Sequence, residues 1–137
     1  MTTTLIDTGP LVAYFNARDR WHTWAVAQMQ ALRPPLVTCE PVLTETCYLI
    51  QRAGGRAADL LGKVRQGALV IGLDVAGEAG AVESLMQRYA DTPMSLADAC
   101  LVRLSELLAD CRLFTLDSDF LHYRRNGRQS IPLLRPG

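Results

Sequence analysis

The sequence predicts an α/β fold, a sandwich in which a parallel sheet of four or five strands lies between layers of helices. Short apolar segments alternate with longer helical segments, which is the order of parallel strands joined by crossover helices. These short segments are mostly apolar, as expected for strands covered on both faces. Hydrophobic residues make up 49% of the 137 residues and charged residues 20%, so we expect one globular domain over residues 1–137.

The first part of the chain is expected to form one strand and two helices. The apolar segment 3–6 predicts a short buried strand that ends at Asp7. Helices follow over residues 10–16 and 21–32. The second helix ends there because Pro34 cannot continue it.

The middle of the chain continues the alternation of strand and helix. Residues 36–38 predict a brief strand, and residues 40–53 predict a helix. Pro41 stands in the first turn of that helix, where its missing N–H costs nothing. A helix over 56–66 then leads to an apolar, β-rich strand over 68–73.

The last part of the chain completes the pattern with two helices, two strands and a helical turn. Residues 77–89 predict a helix, and residues 95–109 give the clearest helical periodicity in the sequence. A strand is expected at 112–116, a short helical turn at 118–123, and a final strand at 131–134.

The basic residues are unevenly distributed although the net charge is zero. The chain has 14 basic and 14 acidic residues, so its overall field neither attracts nor repels nucleic acid strongly. No acid follows Asp119, whereas four arginines do. This segment is either a solvated basic tail or a patch that contacts phosphate, since arginine suits phosphate oxygens. On the second interpretation Arg124, Arg125 and Arg128 bind RNA.

Several classes of protein are excluded by what the sequence lacks. Its four cysteines form no C-x-x-C pair, and its two histidines do not pair with them at zinc spacing. No apolar run approaches the roughly 18 residues of a membrane helix, and the N-terminus has no basic region of a secretory signal. We therefore expect a cytoplasmic protein without a structural zinc site or a membrane association.

Four carboxylates occupy places where an ordinary surface role explains only part of the pattern. Asp7 and Asp117 stand at the ends of predicted strands, although each could also cap the helix that follows. Asp98 matches a capping box with Ser95 but lies outside the polar face of its helix. Glu45 lies at the edge of an apolar helix stripe, where a surface glutamate is the simpler interpretation.

These acids are expected to meet in one pocket. Ligands of parallel sheets bind beyond the carboxyl ends of the strands, where Asp7 and Asp117 are predicted to lie. Close carboxylates repel one another and raise each other's pKa, and a hard divalent cation such as Mg²⁺ or Mn²⁺ relieves that repulsion. A water held by such a cation becomes a nucleophile, and the cation polarises a phosphoryl oxygen. The sequence also lacks a P-loop and a G-x-S-x-G elbow.

The order and surroundings of the acids resemble the PIN-domain family of ribonucleases, and especially the VapC-type toxins of toxin–antitoxin pairs. Four segments carry the resemblance, and together they span nearly the whole chain: Leu5-Ile6-Asp7-Thr8-Gly9-Pro10-Leu11-Val12-Ala13, Leu43-Thr44-Glu45, Ser95-Leu96-Ala97-Asp98-Ala99 and Thr115-Leu116-Asp117-Ser118-Asp119-Phe120. The resemblance implies a PIN-like fold and metal-dependent endoribonuclease activity that leaves 5′-phosphate and 3′-hydroxyl ends.

The resemblance also assigns roles to individual residues. It implies a catalytic quartet of Asp7, Glu45, Asp98 and Asp117 that holds one or two Mg²⁺ or Mn²⁺ ions. Asp119 is an auxiliary acid, and either it or Asp117 is the direct metal ligand alongside Asp7 and Asp98. The hydroxyls of Thr8 and Thr115 occupy supporting positions.

The partners implied by the resemblance are an RNA substrate, a second copy of the chain and a small antitoxin protein. The antitoxin of such toxins lays a helix along a groove, which Trp21, Trp24 and Met29 could line, although core packing is the simpler role for them. Two other functions stay open on the sequence alone. One is an RNA-processing nuclease that is not a toxin, and the other is a non-catalytic RNA-binding or regulatory protein.

Overall fold

The structure, a computed structural model, describes residues 1–137 and is built on a parallel sheet of five strands. In chain order the strands of this sheet are β1 (Thr3–Ile6), β2 (Leu36–Thr38), β3 (Leu69–Ile71), β4 (Cys111–Phe114) and β7 (Leu133–Leu134). They lie side by side in the order β3-β2-β1-β4-β7, and every neighbouring pair is parallel. The predicted α/β/α fold is confirmed, and of the predicted four or five strands the sheet has five.

Six helices flank the sheet, in the places where the sequence predicts helices. They are α1 (Thr8–Phe15), α2 (His22–Ala31), α3 (Glu40–Arg52), α4 (Ala58–Arg65), α5 (Ala79–Arg88) and α6 (Leu96–Leu107), and a 3-10 turn follows at Ser118–Leu121. Most predicted boundaries differ by one or two residues, which is the usual scatter at frayed helix ends.

The core lies between the central strands and α6. Leu5, Ile6, Leu113 and Phe114 of β1 and β4 are almost fully buried, as expected for parallel strands covered on both faces. Eight of the 12 residues of α6 are buried, since this helix packs against α3, α5 and β4. A helix that is apolar nearly all round belongs inside the protein, so an acidic side chain on it needs a partner.

Two features near the C-terminus differ from the sequence prediction. A small antiparallel hairpin, β5 (Arg124–Arg125) with β6 (Gln129–Ser130), forms where no strand was expected. Asn126 and Gly127 turn it with φ angles of 51° and 83°, which asparagine and glycine accept more readily than other residues. The final strand is shorter than predicted because Pro132 has no N–H to donate to the ladder.

The register of the sheet brings distant parts of the chain to one edge. Ile6 lies opposite Phe114 in the β1–β4 pair, and the backbone N–H of Asp7 donates to the Phe114 carbonyl at 3.0 Å. Asp7 and Thr115 therefore leave their strands at the same level. Because all five strands run in the same direction, the segments that follow them meet at the carboxyl edge of the sheet.

None of the helices is long and apolar enough to cross a membrane.

Candidate active site

Asp7 is the central acid of the carboxyl edge and is held from two sides. It precedes α1 as its N-cap, and its Oδ1 accepts a 2.7 Å hydrogen bond from the backbone N–H of Thr8. The hydroxyl of Thr115 donates to the other carboxylate oxygen, Oδ2, at 2.7 Å. Only 5% of Asp7 is exposed. Asp7 is therefore both the N-cap of α1 and a buried acid at the carboxyl edge of the sheet.

The protonation of Asp7 reflects burial and its acidic neighbours. Burial away from water raises its pKa from the ordinary value of 3.8 to about 6, although the hydrogen bonds from Thr115 and Thr8 act in the opposite direction. The negative charges of Asp98 and Asp117 raise the pKa further, so both acids lie close enough to repel Asp7. The raised pKa of Asp7 therefore comes mainly from its burial, and the charges of the neighbouring acids add to it.

Asp98 reaches the same edge from the first turn of α6. It forms the predicted capping box: its backbone N–H donates to the Ser95 hydroxyl at 3.0 Å, and its Oδ2 accepts from the Ser95 N–H at 3.2 Å. Oδ2 also accepts a 3.3 Å hydrogen bond from the hydroxyl of Tyr123. Burial raises the pKa of Asp98, and the charge of Asp117 adds to that effect. The capping box explains the position of Asp98, but its burial beside other acids needs a further reason.

Asp117 and Asp119 lie on the connection that follows β4. The Asp117 N–H donates to the Thr115 hydroxyl at 3.0 Å, and the Asp117 carboxylate accepts from the Asp119 N–H at 2.9 Å. The hydroxyl of Thr115 thus donates to Asp7 while it accepts from Asp117. This single side chain links the two strand-end segments.

Glu45 joins the group through Thr8. The side chain is exposed on α3, and its Oε1 accepts a 3.0 Å hydrogen bond from the Thr8 hydroxyl. Thr8 therefore links Glu45 to Asp7, because its hydroxyl donates to Glu45 and its backbone N–H donates to Asp7. Glu45 is both a surface glutamate and a neighbour of the acidic group, and it is the member of the predicted quartet that is most open to solvent.

The chemistry of this group fits a hard divalent cation, although the structure shows no closed metal cage. No three His, Cys, Asp or Glu side chains are grouped closely enough to hold a metal ion between them. The available donors are carboxylate and hydroxyl oxygens, which Mg²⁺ and Mn²⁺ prefer. The buried, mutually repelling carboxylates of Asp7 and Asp98 also gain from a cation that neutralises them. The residues therefore fit such an ion by donor type and by charge.

Tyr123 is a member of the site that the sequence did not reveal. It is fully buried, and its ring packs edge-on against Phe120 and Tyr89 with centroids 5.2 and 5.1 Å away. Burial raises the pKa of its hydroxyl, so it stays protonated and donates to Asp98. A tyrosine just after an acidic turn is a weak signal, because only the fold shows that its hydroxyl reaches a residue in α6.

The three arginines predicted to bind RNA have different environments. Arg125 is buried, with 6% exposed, and its guanidinium donates to the carbonyls of Ser105, Leu108 and Ala109 at the end of α6. Its prediction as an RNA contact is corrected: a buried guanidinium committed to helix carbonyls does not reach phosphate. Arg124 is half-buried and donates to two nearby carbonyls, and Arg128 is exposed.

The three residues considered for a groove, Trp21, Trp24 and Met29, mainly pack against other parts of the protein. Trp24 packs edge-on against Phe114 in the core with centroids 5.4 Å apart, and Trp21 packs against Trp24. Met29 of α2 lines a mostly apolar cavity of about 210 Å³ together with residues of α1 and of β2, α4 and β3, among them Leu11 and Leu36. None of the acids described above lines this cavity. A separate open cleft of about 480 Å³ runs past Glu45 and the first turn of α6.

Comparisons with known proteins agree with this architecture. The family model of the PIN domain matches residues 4–126. Among solved structures, the chain is similar to VapC20 of Mycobacterium tuberculosis, described as a sarcin-ricin loop cleaving toxin. The TM-score is 0.75 at 23% sequence identity, and the match covers 85% of this chain and 92% of that chain. The comparison with curated proteins gives no significant match. The structural similarity shows a shared fold.

Proposed function

We propose that this chain, which belongs to the PIN-domain family, is an endoribonuclease that depends on Mg²⁺ or Mn²⁺. The family match covers residues 4–126 and confirms the resemblance that the four motifs indicated. The observation that carries the proposal is the environment of Asp7, a buried acid at the carboxyl edge whose pKa is raised by burial and by Asp98 and Asp117. A buried acid near other acids is unfavourable in its charged form, and a divalent cation relieves that cost.

The proposed metal ligands are Asp7, Asp98, Asp117 and Asp119, and Asp7, Glu45, Asp98 and Asp117 are the proposed catalytic residues. When bound, the ion supplies Lewis-acid polarisation of the phosphoryl oxygens and lowers the pKa of water. The site's hydroxyls orient its acids: Thr115 fixes Asp7, and Tyr123 fixes Asp98. A fixed carboxylate needs no reorientation when its ligand arrives, which favours binding and catalysis.

Glu45 is the proposed proton acceptor of the reaction. It is the most solvent-exposed acid of the quartet, and Thr8 donates to its Oε1. The other oxygen, Oε2, is the proposed acceptor of the proton from the attacking water. Attack on the phosphodiester with loss of the 3′-oxygen leaves 5′-phosphate and 3′-hydroxyl ends. The reaction hydrolyses one P–O bond and consumes one water.

The biological role that we propose is that of a toxin in a toxin–antitoxin pair. The fold similarity to VapC20, a toxin that cleaves the sarcin-ricin loop, supports this role. The proposed partners are an RNA substrate, a small antitoxin protein and a second copy of the chain. The 137 residues are proposed to act as one domain in the cytoplasm. Arg124 and Arg128 stay as proposed RNA contacts.

The activity is tested by mapping cleavage sites on total RNA with Mg²⁺, with Mn²⁺ and with EDTA. The wild-type chain is compared with Asp98→Asn and with the matched control Asp91→Asn, which removes an exposed acid outside the site. We expect metal-dependent cleavage by the wild type and by Asp91→Asn, and loss of at least about a hundredfold in Asp98→Asn. Circular dichroism checks that all three proteins are folded.

The outcomes separate the alternatives. RNA binding without cleavage in any metal would indicate a non-catalytic RNA-binding protein and refute the nuclease. Cleavage without growth arrest on expression would indicate an RNA-processing nuclease that is not a toxin. Growth arrest that a small protein encoded next to this chain relieves by binding it would support the toxin role.

A further inference from the structure

We propose that Arg135 binds a backbone phosphate of the RNA next to the acidic site. This inference rests on the proposed function, since it names a substrate contact of the same site. Arg135 directly follows β7, the outermost strand beside β4. Arg135 therefore follows the carboxyl end of β7, and Asp117 and Asp119 follow the same end of the neighbouring strand β4.

The register of the sheet places Arg135 in line with the acids. Leu134 lies opposite Phe114 in the β4–β7 pair, and the Thr115 N–H donates to the Leu134 carbonyl at 3.1 Å. The residues that follow, Thr115 and Arg135, thus lie at the same level, and Asp7 lies at this level on the other side of Thr115. Adjacent strands are about 4.8 Å apart, so the backbones of Asp7 and Arg135 are about 10 Å apart.

Arg135 has no partner within the chain. It forms none of the hydrogen bonds or ion pairs found in the structure, and its Nε is buried without an acceptor. Arg125 also has an Nε without an acceptor, but the end of the same guanidinium donates to helix carbonyls. A buried donor that lacks an acceptor is unfavourable. Arg135 is therefore an arginine whose donors are explained better by an external acceptor than by the fold.

The chemistry of the surroundings favours a phosphate as that acceptor. The guanidinium fork matches two oxygens of a phosphate, and its positive charge persists at every physiological pH. No acidic side chain follows Asp119 in the sequence, so the segment that carries Arg135 has no Asp or Glu side chain of its own to neutralise it. An acidic site repels RNA, and a cation whose backbone lies about two strand spacings from Asp7 offsets that repulsion for a phosphate bound near the site.

The test measures binding of a fluorescein-labelled single-stranded RNA by anisotropy, in EDTA and at several salt concentrations. The variants are Arg135→Gln, which removes the charge, and Arg135→Lys, which keeps it without the fork. Arg65→Gln is the matched control, because Arg65 ends α4 and precedes β3, at the opposite edge of the sheet, and is exposed without a partner. The kcat and KM of RNA cleavage in Mn²⁺ are measured on the same proteins.

We expect Arg135→Gln to weaken RNA binding about tenfold and to reduce the salt slope by about 0.7, the value for one phosphate contact on a single strand. Arg135→Lys should keep the wild-type salt slope with weaker binding, and Arg65→Gln should match the wild type. KM should rise in Arg135→Gln while kcat stays within about threefold, since the contact is to a phosphate other than the one cleaved.

Two failures are distinguishable. If the wild type cleaves RNA but Arg135→Gln binds it with the affinity and salt slope of Arg65→Gln, the assignment of Arg135 is overturned and the nuclease stands. A wild type that neither binds nor cleaves RNA overturns the proposed function and this inference with it. If Arg135→Gln does not fold, Arg135→Lys decides, because a merely structural arginine that lysine replaces leaves RNA affinity unchanged.

Discussion

Replacing Asp7 by asparagine should stabilise the metal-free protein at neutral pH while it abolishes cleavage. Burial, Asp98 and Asp117 all disfavour the charged form of Asp7, and its pKa rises from 3.8 to about 6. The folded protein therefore binds more protons than the unfolded chain between these values, and stability falls as the pH rises through this range. Above about pH 6 the raised pKa of Asp7 lowers the free energy of unfolding by its full amount.

The size of the effect follows from the shift. A difference of about two pKa units, at about 1.36 kcal/mol per unit, gives about 3 kcal/mol at about pH 7.5. At about pH 4.5 the same linkage lowers the free energy of unfolding by only about 1 kcal/mol. Asparagine keeps an acceptor for the Thr8 N–H and can donate to the Thr115 hydroxyl, but neutral hydrogen bonds are weaker by about 1 kcal/mol. The net expected stabilisation by Asp7→Asn is about 2 kcal/mol at about pH 7.5.

The assay is urea unfolding in EDTA, for wild type and Asp7→Asn, from about pH 4.5 to about pH 7.5. The advantage of Asp7→Asn should grow as the pH rises, and Mg²⁺ or Mn²⁺ should stabilise the wild type selectively. Asp91→Asn, at an exposed position, serves as the control. An Asp7→Asn protein that is less stable than the wild type at about pH 7.5, or an advantage that shrinks with rising pH, would refute the electrostatic account of this site.

Substitutions at three further positions test the donor to Asp98, the bridge through Thr115 and the buried Arg125. Tyr123→Phe removes the donor to Asp98 and should lower RNA cleavage about tenfold and weaken Mn²⁺ binding, measured by electron paramagnetic resonance, with unchanged circular dichroism. Thr115→Val should do the same through Asp7, whereas Thr115→Ser should retain activity; equal activity of the two would contradict the role of the hydroxyl. Arg125→Ala should lower the free energy of unfolding, measured in urea, by about 3 kcal/mol, because the carbonyls at the end of α6 lose a buried donor. The folded fraction of this variant should bind RNA with the affinity of the wild type.

The elements of the fold could be predicted from the sequence because their signals are local. Apolar segments of three or four residues and the Ser95 capping box appear in the sequence as they appear in the structure. The hairpin at Arg124–Ser130 was missed, since its two strands have only two residues each and its turn, Asn126-Gly127, is flanked by polar residues. A strand that short has no periodicity to detect.

The acids of the candidate site could be named from the sequence, but their relations could not. Strand ends and motif order pointed to Asp7 and Asp117, since the carboxyl edge of a parallel sheet is set by topology. The hydrogen bond from Thr8 to Glu45 and the bridge through Thr115 depend on side chains 37 and 108 residues apart. Such contacts have no sequence signal.

The arginines show most clearly what each level decides. The sequence by itself determined the fold class, the acids and an arginine-rich, acid-free end of the chain. Only the tertiary structure decided that Arg125 is buried against the end of α6 while Arg135 stands unpartnered beside Thr115. Charge is a property of the residue, but burial and available acceptors are properties of the packed neighbours, which the local sequence does not contain.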